Sequence, residues 1–171
     1  ILKDNPQLTC RLKKKRGRNP ARIILDRRNR IPLTAKVFAN SKAHRVVYVS
    51  GSKLSTKREQ LLKTKNIEVL KVKTLKSGFD LKQLMKLLAQ KELNSILIEG
   101  GGEINSSALE AGIVDRVFAF ISPILVGGQQ APSPIGGDGV AKITKAMRLD
   151  NMKVTPTGDD LMVEAEICSA E

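Results

Sequence analysis

The chain has no tryptophan, one tyrosine and one histidine, and aromatic residues fill only 3% of its 171 positions. So few rings argue against a single-strand nucleic-acid binder, which stacks bases on aromatic platforms. The two cysteines, Cys10 and Cys168, stand at opposite ends without CxxC spacing, and His44 is the lone histidine. Neither a disulfide framework nor a metal centre is expected, and a reduced, cytoplasmic protein is. The longest nearly apolar run, residues 117–126, is ten residues broken by Ser122 and Pro123. That is about half of the ~20 residues a membrane helix needs, so no membrane association is expected. The opening residues 1–6 include neither a methionine nor an apolar signal segment, and sequence upstream of Ile1 is expected.

What is present is ordinary globular material: 41% hydrophobic and 27% charged residues, a length that suits one compact domain, and no linker rich enough to divide it. The charge is distributed unevenly. Residues 1–91 carry 25 basic and 5 acidic side chains, whereas residues 92–171 carry 5 basic and 12 acidic ones. Within residues 11–30 ten basic side chains face only Asp26. Such a half attracts phosphorylated ligands or polyanions. For Lys13 to Lys15 and the lysines of 71–76 a solvated surface is the plainer reading.

Residues 21–26, 45–50 and 67–72 are short apolar, β-branched runs that predict buried strands. Thr56 and Glu59 have capping-box spacing and open a predicted helix to about residue 65. Asp80 caps a second helix, with Leu81, Leu84, Met85 and Leu88 on one face. Residues 95–99 predict another strand, followed at once by Gly100, Gly101 and Gly102 and a helix over 103–111 that Gly112 ends. Beyond it lie a strand over 116–122, a glycine- and proline-rich loop over 127–139, and strands over 147–154 and 161–167. Alternating βα units followed by β segments imply an α/β fold: a mainly parallel sheet with an antiparallel C-terminal edge and helices on both faces.

Three consecutive glycines remove every Cβ between a ligand and the backbone, at a helix start whose free amides and dipole favour an anion. The contiguous spacing is neither GxGxxG nor a Walker loop, and a GGG turn also serves as a hinge. Glu99 precedes it at a predicted strand end, where open α/β sheets bind ligands, although a salt-bridged glutamate would look the same. Near the front, Asp4 and Arg11 offer a carboxylate and a guanidinium fork to a phosphorylated small molecule.

Six stretches taken in order carry a resemblance: Asp4-Asn5-Pro6-Gln7-Leu8-Thr9-Cys10-Arg11; Asn19-Pro20-Ala21-Arg22-Ile23-Ile24-Leu25-Asp26; Arg30-Ile31-Pro32-Leu33 to Lys36-Val37-Phe38; Ile98-Glu99-Gly100-Gly101-Gly102; Gly112-Ile113-Val114-Asp115; and Pro123-Ile124-Leu125-Val126-Gly127-Gly128. The set resembles the riboflavin-biosynthesis reductase family over nearly the whole chain. The resemblance implies a dihydrofolate-reductase-like α/β fold and NADPH-dependent reduction of 5-amino-6-(5-phosphoribosylamino)uracil to its ribitylamino product, with hydride delivered at C1′. It further implies that Glu99, Leu8 and Arg11 contact substrate, that Asp4 lies beside the nicotinamide and ribose, and that Asp4 and Glu99 serve catalysis. The cofactor loop it implies comprises Gly101, Gly102, Glu103, Ile104, Asn105, Ser106 and Ser107. Arg27, where many relatives carry a small hydroxyl residue, is a candidate for the 2′-phosphate of NADPH. The family's first strand and helix have no counterpart, so residues 1–171 are expected to be a reductase domain incomplete at its N-terminus.

The family's bifunctional members also carry a zinc deaminase, whose ligands one histidine and two distant cysteines cannot supply. A homodimer or higher homo-oligomer is the family's usual state. Alternatives are a reductase of 2,5-diamino-6-ribosylamino-pyrimidinone 5′-phosphate, a reductase of a dihydrofolate-like heterocycle, and, from another class, a basic nucleic-acid-binding domain.

Overall fold

The computed structural model describes residues 1–12, 17–51, 53–76 and 78–168. Lys13 to Lys15, read above as solvated surface, lie outside the described residues. The chain divides into two compact units, residues 1–87 and 88–171.

The first unit is built on a three-stranded parallel sheet in the order β1 (Arg22–Leu25), β2 (Val46–Ser50), β3 (Glu68–Lys71). β2 is paired on both edges and buried at all five residues, which is why it reads as a continuous apolar run rather than an alternating one. Ile24, Val37, Phe38, Tyr48 and Leu62 lead the core around it. Helix α1 (Thr56–Thr64) is capped one residue before the expected cap. Thr56 is already helical, and it is Ser55, in extended backbone, whose Oγ accepts the Arg58 amide at 3.3 Å. Glu59, free of that duty, pairs with Lys63 at 2.9 Å and Lys71 at 2.7 Å, and the two ammonium groups hold its carboxyl down at a pKa of about 2. A two-residue hairpin not anticipated from the pattern, β4 (Thr74–Leu75) with β5 (Gly78–Phe79), leads into α2 (Leu81–Ala89). The Asp80 side chain caps α2 through the Gln83 amide at 2.9 Å, and Leu81, Leu84 and Leu88 are buried as the stripe requires.

In the second unit, α3 (Gly102–Glu110) ends in a Schellman motif: Gly112 (φ 62°) donates to Leu109 and Ile113 to Ala108. An antiparallel sheet follows in the order β6 (Arg116–Ile121), β8 (Asp160–Ile167), β7 (Leu149–Thr157). Gly158, at φ 64°, occupies the first position of the two-residue β7–β8 turn, where glycine adopts left-handed backbone without strain. β7 runs through Pro156, past the expected end at 154; as an edge strand it can spare that amide. The strand expected over 95–99 is not formed. Its composition suits a sheet, but a strand exists through its partner, and none of β6, β7 or β8 pairs with this segment. Leu97 is accordingly 72% exposed. The overall class is as expected: α/β, parallel first and antiparallel toward the C-terminus.

Candidate active site

The front segment is held in an unusual shape. Asn5 and Leu8 both adopt left-handed backbone, at φ 42° and 52°. Asparagine tolerates that region, whereas for a branched apolar residue it is strained, and strain of this kind concentrates where function requires a fixed geometry. The surroundings enforce it. Asn5 Oδ1 accepts the Lys36 amide at 2.9 Å, and Asn19 Oδ1 accepts the Cys10 amide at 2.9 Å. Arg22, buried at the start of β1, donates to the Gln7 carbonyl at 3.5 Å and to the Ala39 carbonyl at 2.8 Å. Burial lowers the pKa of this guanidinium below its ordinary value, a cost accepted for fixing the turn between Asn5 and Leu8. Leu8 rests against the core, whereas Asp4 and Arg11 are exposed.

At the opposite end of β1, Asp26 is buried and Arg27, Arg28 and Arg30 are exposed in the turn that follows. This is the C-terminal edge of the parallel sheet, where ligands of open α/β folds bind.

In the second unit Glu99 is exposed, one residue before the glycine turn. Gly101 is the N-cap of α3, and the first intrahelical bond is made by Ile104 to the Gly101 carbonyl. The amides of Gly102 and Glu103 therefore have no intrahelical acceptor. A Cβ on Gly101 would meet nothing, so the N-cap position is open, whereas Gly136 packs close to Gly102 and to the Glu103 amide. A Cβ on Gly102 would come within 2.8 Å of the Ser133 carbonyl and the Gly136 amide, because residues 133–137 lie against the first turn of the helix. Two bonds fasten them there: Gly136 N to the Gly102 carbonyl at 2.9 Å, and Asn105 Nδ2 to the Pro134 carbonyl at 2.8 Å. The hydroxyls of Ser106 and Ser107 turn inward along the helix, to Glu110 at 2.8 Å and the Glu103 carbonyl at 2.9 Å.

Residues 1–163 match the family described as the RibD C-terminal domain. The chain belongs to that family. Over 169 residues it is 36% identical to the riboflavin biosynthesis protein RibD of Actinobacillus pleuropneumoniae, covering 99% of this chain and 44% of that protein. It is 32% identical to the 2,5-diamino-6-ribosylamino-4(3H)-pyrimidinone 5′-phosphate reductase of Methanothermobacter thermautotrophicus, covering 96% of this chain and 74% of that one. Among solved structures it resembles Acinetobacter baumannii RibD (form 2) with a TM-score of 0.79 at 25% identity, over 98% of this chain and 44% of that one. The chain thus spans about half the length of the RibD proteins it matches. The RibD C-terminal domain family accounts for the dihydrofolate-reductase-like class of the fold.

Within this RibD C-terminal domain the predicted site residues fall into groups: Asp4, Leu8 and Arg11 on the strained front segment, Arg27 after β1, and Glu99 with residues 101–107 around the start of α3. Sequence reasoning did not single out Arg22, or the packing of residues 133–137 on α3. A lone arginine inside an apolar strand was the available signal for the first. The paired glycines Gly136 and Gly137 were the signal for the second. Among the described residues no group of three or more histidine, cysteine, aspartate or glutamate side chains is placed to hold a metal ion, and no helix is long and apolar enough to cross a membrane.

Proposed function

We propose that this chain is the reductase portion of a riboflavin-biosynthesis enzyme, using NADPH to reduce 5-amino-6-(5-phosphoribosylamino)uracil to the ribitylamino product. The observation that carries the reading is the start of α3, where the Gly101 N-cap faces open space and the amides of Gly102 and Glu103 have no intrahelical acceptor. A diphosphate fits that cradle, gaining main-chain hydrogen bonds and the positive end of the helix. Family membership supplies the reaction class.

The chemistry the cofactor supplies when bound is hydride transfer, to C1′ of the opened ribose. The protein's part is binding, orientation and charge. Gly101, Gly102 and Glu103 hold the diphosphate through their amides, while Ile104, Asn105, Ser106 and Ser107 shape the loop behind them. Arg27 takes the 2′-phosphate, and Asp4 accepts hydrogen bonds from the nicotinamide-side ribose. Arg11 pairs with the substrate's 5′-phosphate as a bidentate fork. Leu8 packs on the pyrimidine, and Glu99 contacts the substrate as an acceptor near the reacting end. A homodimer in the cytoplasm belongs to the same reading, supported by exposed apolar side chains on β6 and β7 such as Phe118, Phe120 and Val154.

The test is NADPH oxidation by the protein containing this chain, with the phosphoribosylamino-uracil and the corresponding 2,5-diamino-pyrimidinone phosphate offered separately. Turnover with the uracil is expected. Preference for the diamino compound would move the assignment to the reaction named for the Methanothermobacter relative. Turnover with neither would end it.

A further inference from the structure

The turn after β1 crowds three exposed guanidinium groups, Arg27, Arg28 and Arg30, into four residues, and like charges so close repel one another. Something must hold them in one arrangement. Beneath them the Asp26 carboxylate, 6% exposed, gathers donors from three directions. Its Oδ1 accepts the Arg30 amide at 3.0 Å, and its Oδ2 accepts the Ile31 amide at 2.8 Å and the Tyr48 hydroxyl at 2.8 Å. Arg58, reaching in from α1, stands 3.8 Å from Oδ2, donates to the Ile31 carbonyl, and lies over the Tyr48 ring at 5.6 Å.

The bonding pattern leaves little freedom. Tyr48 has one proton, and the charged acceptor is the stronger one, so the hydroxyl is committed to Asp26. Asn29 Oδ1, 3.1 Å from the same hydroxyl, is served instead by Ser50 Oγ at 2.9 Å, and Asn29 Nδ2 ties the turn to the Lys53 carbonyl at 3.3 Å. Tyr48 and Ser50 lie on β2, so the turn after β1 is latched to the neighbouring strand and to α1 through Asp26, Asn29 and Arg58. Burying a carboxylate is costly unless it is paired and fully hydrogen-bonded. Here both conditions are met, and both amides it satisfies belong to the arginine turn.

We propose that Asp26, latched by Tyr48 and Arg58, is the positioning residue that keeps the arginine turn in the shape needed for the 2′-phosphate, and so sets the preference for NADPH over NADH. This rests on the reading above that Arg27 meets the 2′-phosphate. Asp26 itself does not touch the cofactor.

The experiment compares wild type, Asp26→Asn, Tyr48→Phe and Arg27→Ala, measuring kcat and KM with NADPH and with NADH, and binding of 2′,5′-ADP against 5′-AMP by calorimetry. Circular dichroism confirms the fold, and Tyr48→Phe carries the test if Asp26→Asn fails to fold, since it deletes one oxygen from an intact ring. Losing a hydrogen bond to a charged group is expected to raise KM for NADPH about threefold to tenfold and weaken 2′,5′-ADP comparably. KM for NADH, 5′-AMP binding and kcat should stay within about twofold, because a general loss of stability would move all of them together. If Arg27→Ala abolishes the discrimination while Asp26→Asn and Tyr48→Phe preserve it, the positioning role is wrong and the cofactor reading stands. If Arg27→Ala keeps the wild-type discrimination, or the wild type shows none, the reading of Arg27 fails and the proposal falls with it.

Discussion

Two neighbouring glycines at the start of α3 separate ligand binding from packing. Gly101 has extended backbone (φ −73°, ψ 172°) that alanine also adopts, and its missing Cβ would meet no atom. Gly101→Ala should therefore leave stability unchanged or raise it by about 0.4–1 kcal/mol through the unfolded chain. The same methyl group would occupy the open space at the N-cap, and if a diphosphate lies there, KM for NADPH should rise about tenfold, equivalent to about 1.4 kcal/mol. Gly102→Ala should behave in the opposite way. Its Cβ would lie 2.8 Å from two backbone atoms, the Ser133 carbonyl oxygen and the Gly136 amide nitrogen, and backbone cannot rotate aside as a side chain can. The gain in helix propensity is at most about 1 kcal/mol. The overpacking costs about 1–3 kcal/mol, leaving a net loss of up to about 2 kcal/mol. For a chain of this size that is a fall of up to roughly 8 °C in Tm. Thermal unfolding followed by circular dichroism, together with steady-state kinetics, reads both variants. A Gly101→Ala protein that binds NADPH as well as the wild type would refute the main-chain cradle. A Gly102→Ala protein with unchanged Tm would show that residues 133–137 do not press on the helix as described.

Glu99→Gln, which keeps size and hydrogen-bonding reach but removes charge, should lower kcat at least about 100-fold with the circular dichroism spectrum intact, if this carboxylate assists proton movement at the reacting end; wild-type kinetics would make it a bystander. Tyr48, the sole tyrosine, is pushed up to a pKa of about 12, chiefly by burial. A folded value raised above the ordinary ~10 means that the stability it confers is complete below about pH 10 and drains away as the pH climbs toward 12, by at most about 1.4 kcal/mol per pH unit. Phenolate absorbance in the folded protein should accordingly be delayed well above pH 10, and ionisation near pH 10 in the folded state would contradict the buried placement.

Local chemistry made much of this fold readable. β1, β2 and β3 announce themselves as apolar β-branched runs, α2 as a stripe at helical spacing, and Gly112 as a helix terminator, because each signal lies within a few residues of its effect. The capping of α1 was displaced by one position since Ser55 and Thr56 are chemically equivalent caps and only backbone conformation separates them. Residues 95–99 went wrong for a different reason, as strand formation depends on a partner far along the chain. The site divides in the same way. The glycine turn was legible as the start of α3 because its flexibility is written in the residues themselves, but that only Gly101 of the three faces open space depends on Ile104 and residues 133–136. The Asp26 hub was not, for its donors come from residues 30, 31 and 48, and only the register of β1 against β2 brings Tyr48 to it.

The left-handed backbone of Leu8 makes the front segment behave as a loaded catch. A residue in that conformation carries about 1–3 kcal/mol of unfavourable torsion, so the chain around it has a standing tendency to spring back to ordinary geometry. Reverting φ from 52° to its usual negative range would swing the leucine side chain to the other side of the segment, away from the core it now rests on. What prevents this is a small set of distant anchors, Arg22 under Gln7 and the Lys36 amide on Asn5. Damage to either would be felt first as a displaced Leu8 rather than as an unfolded protein, so a loss of function need not map to a residue that touches a ligand at all.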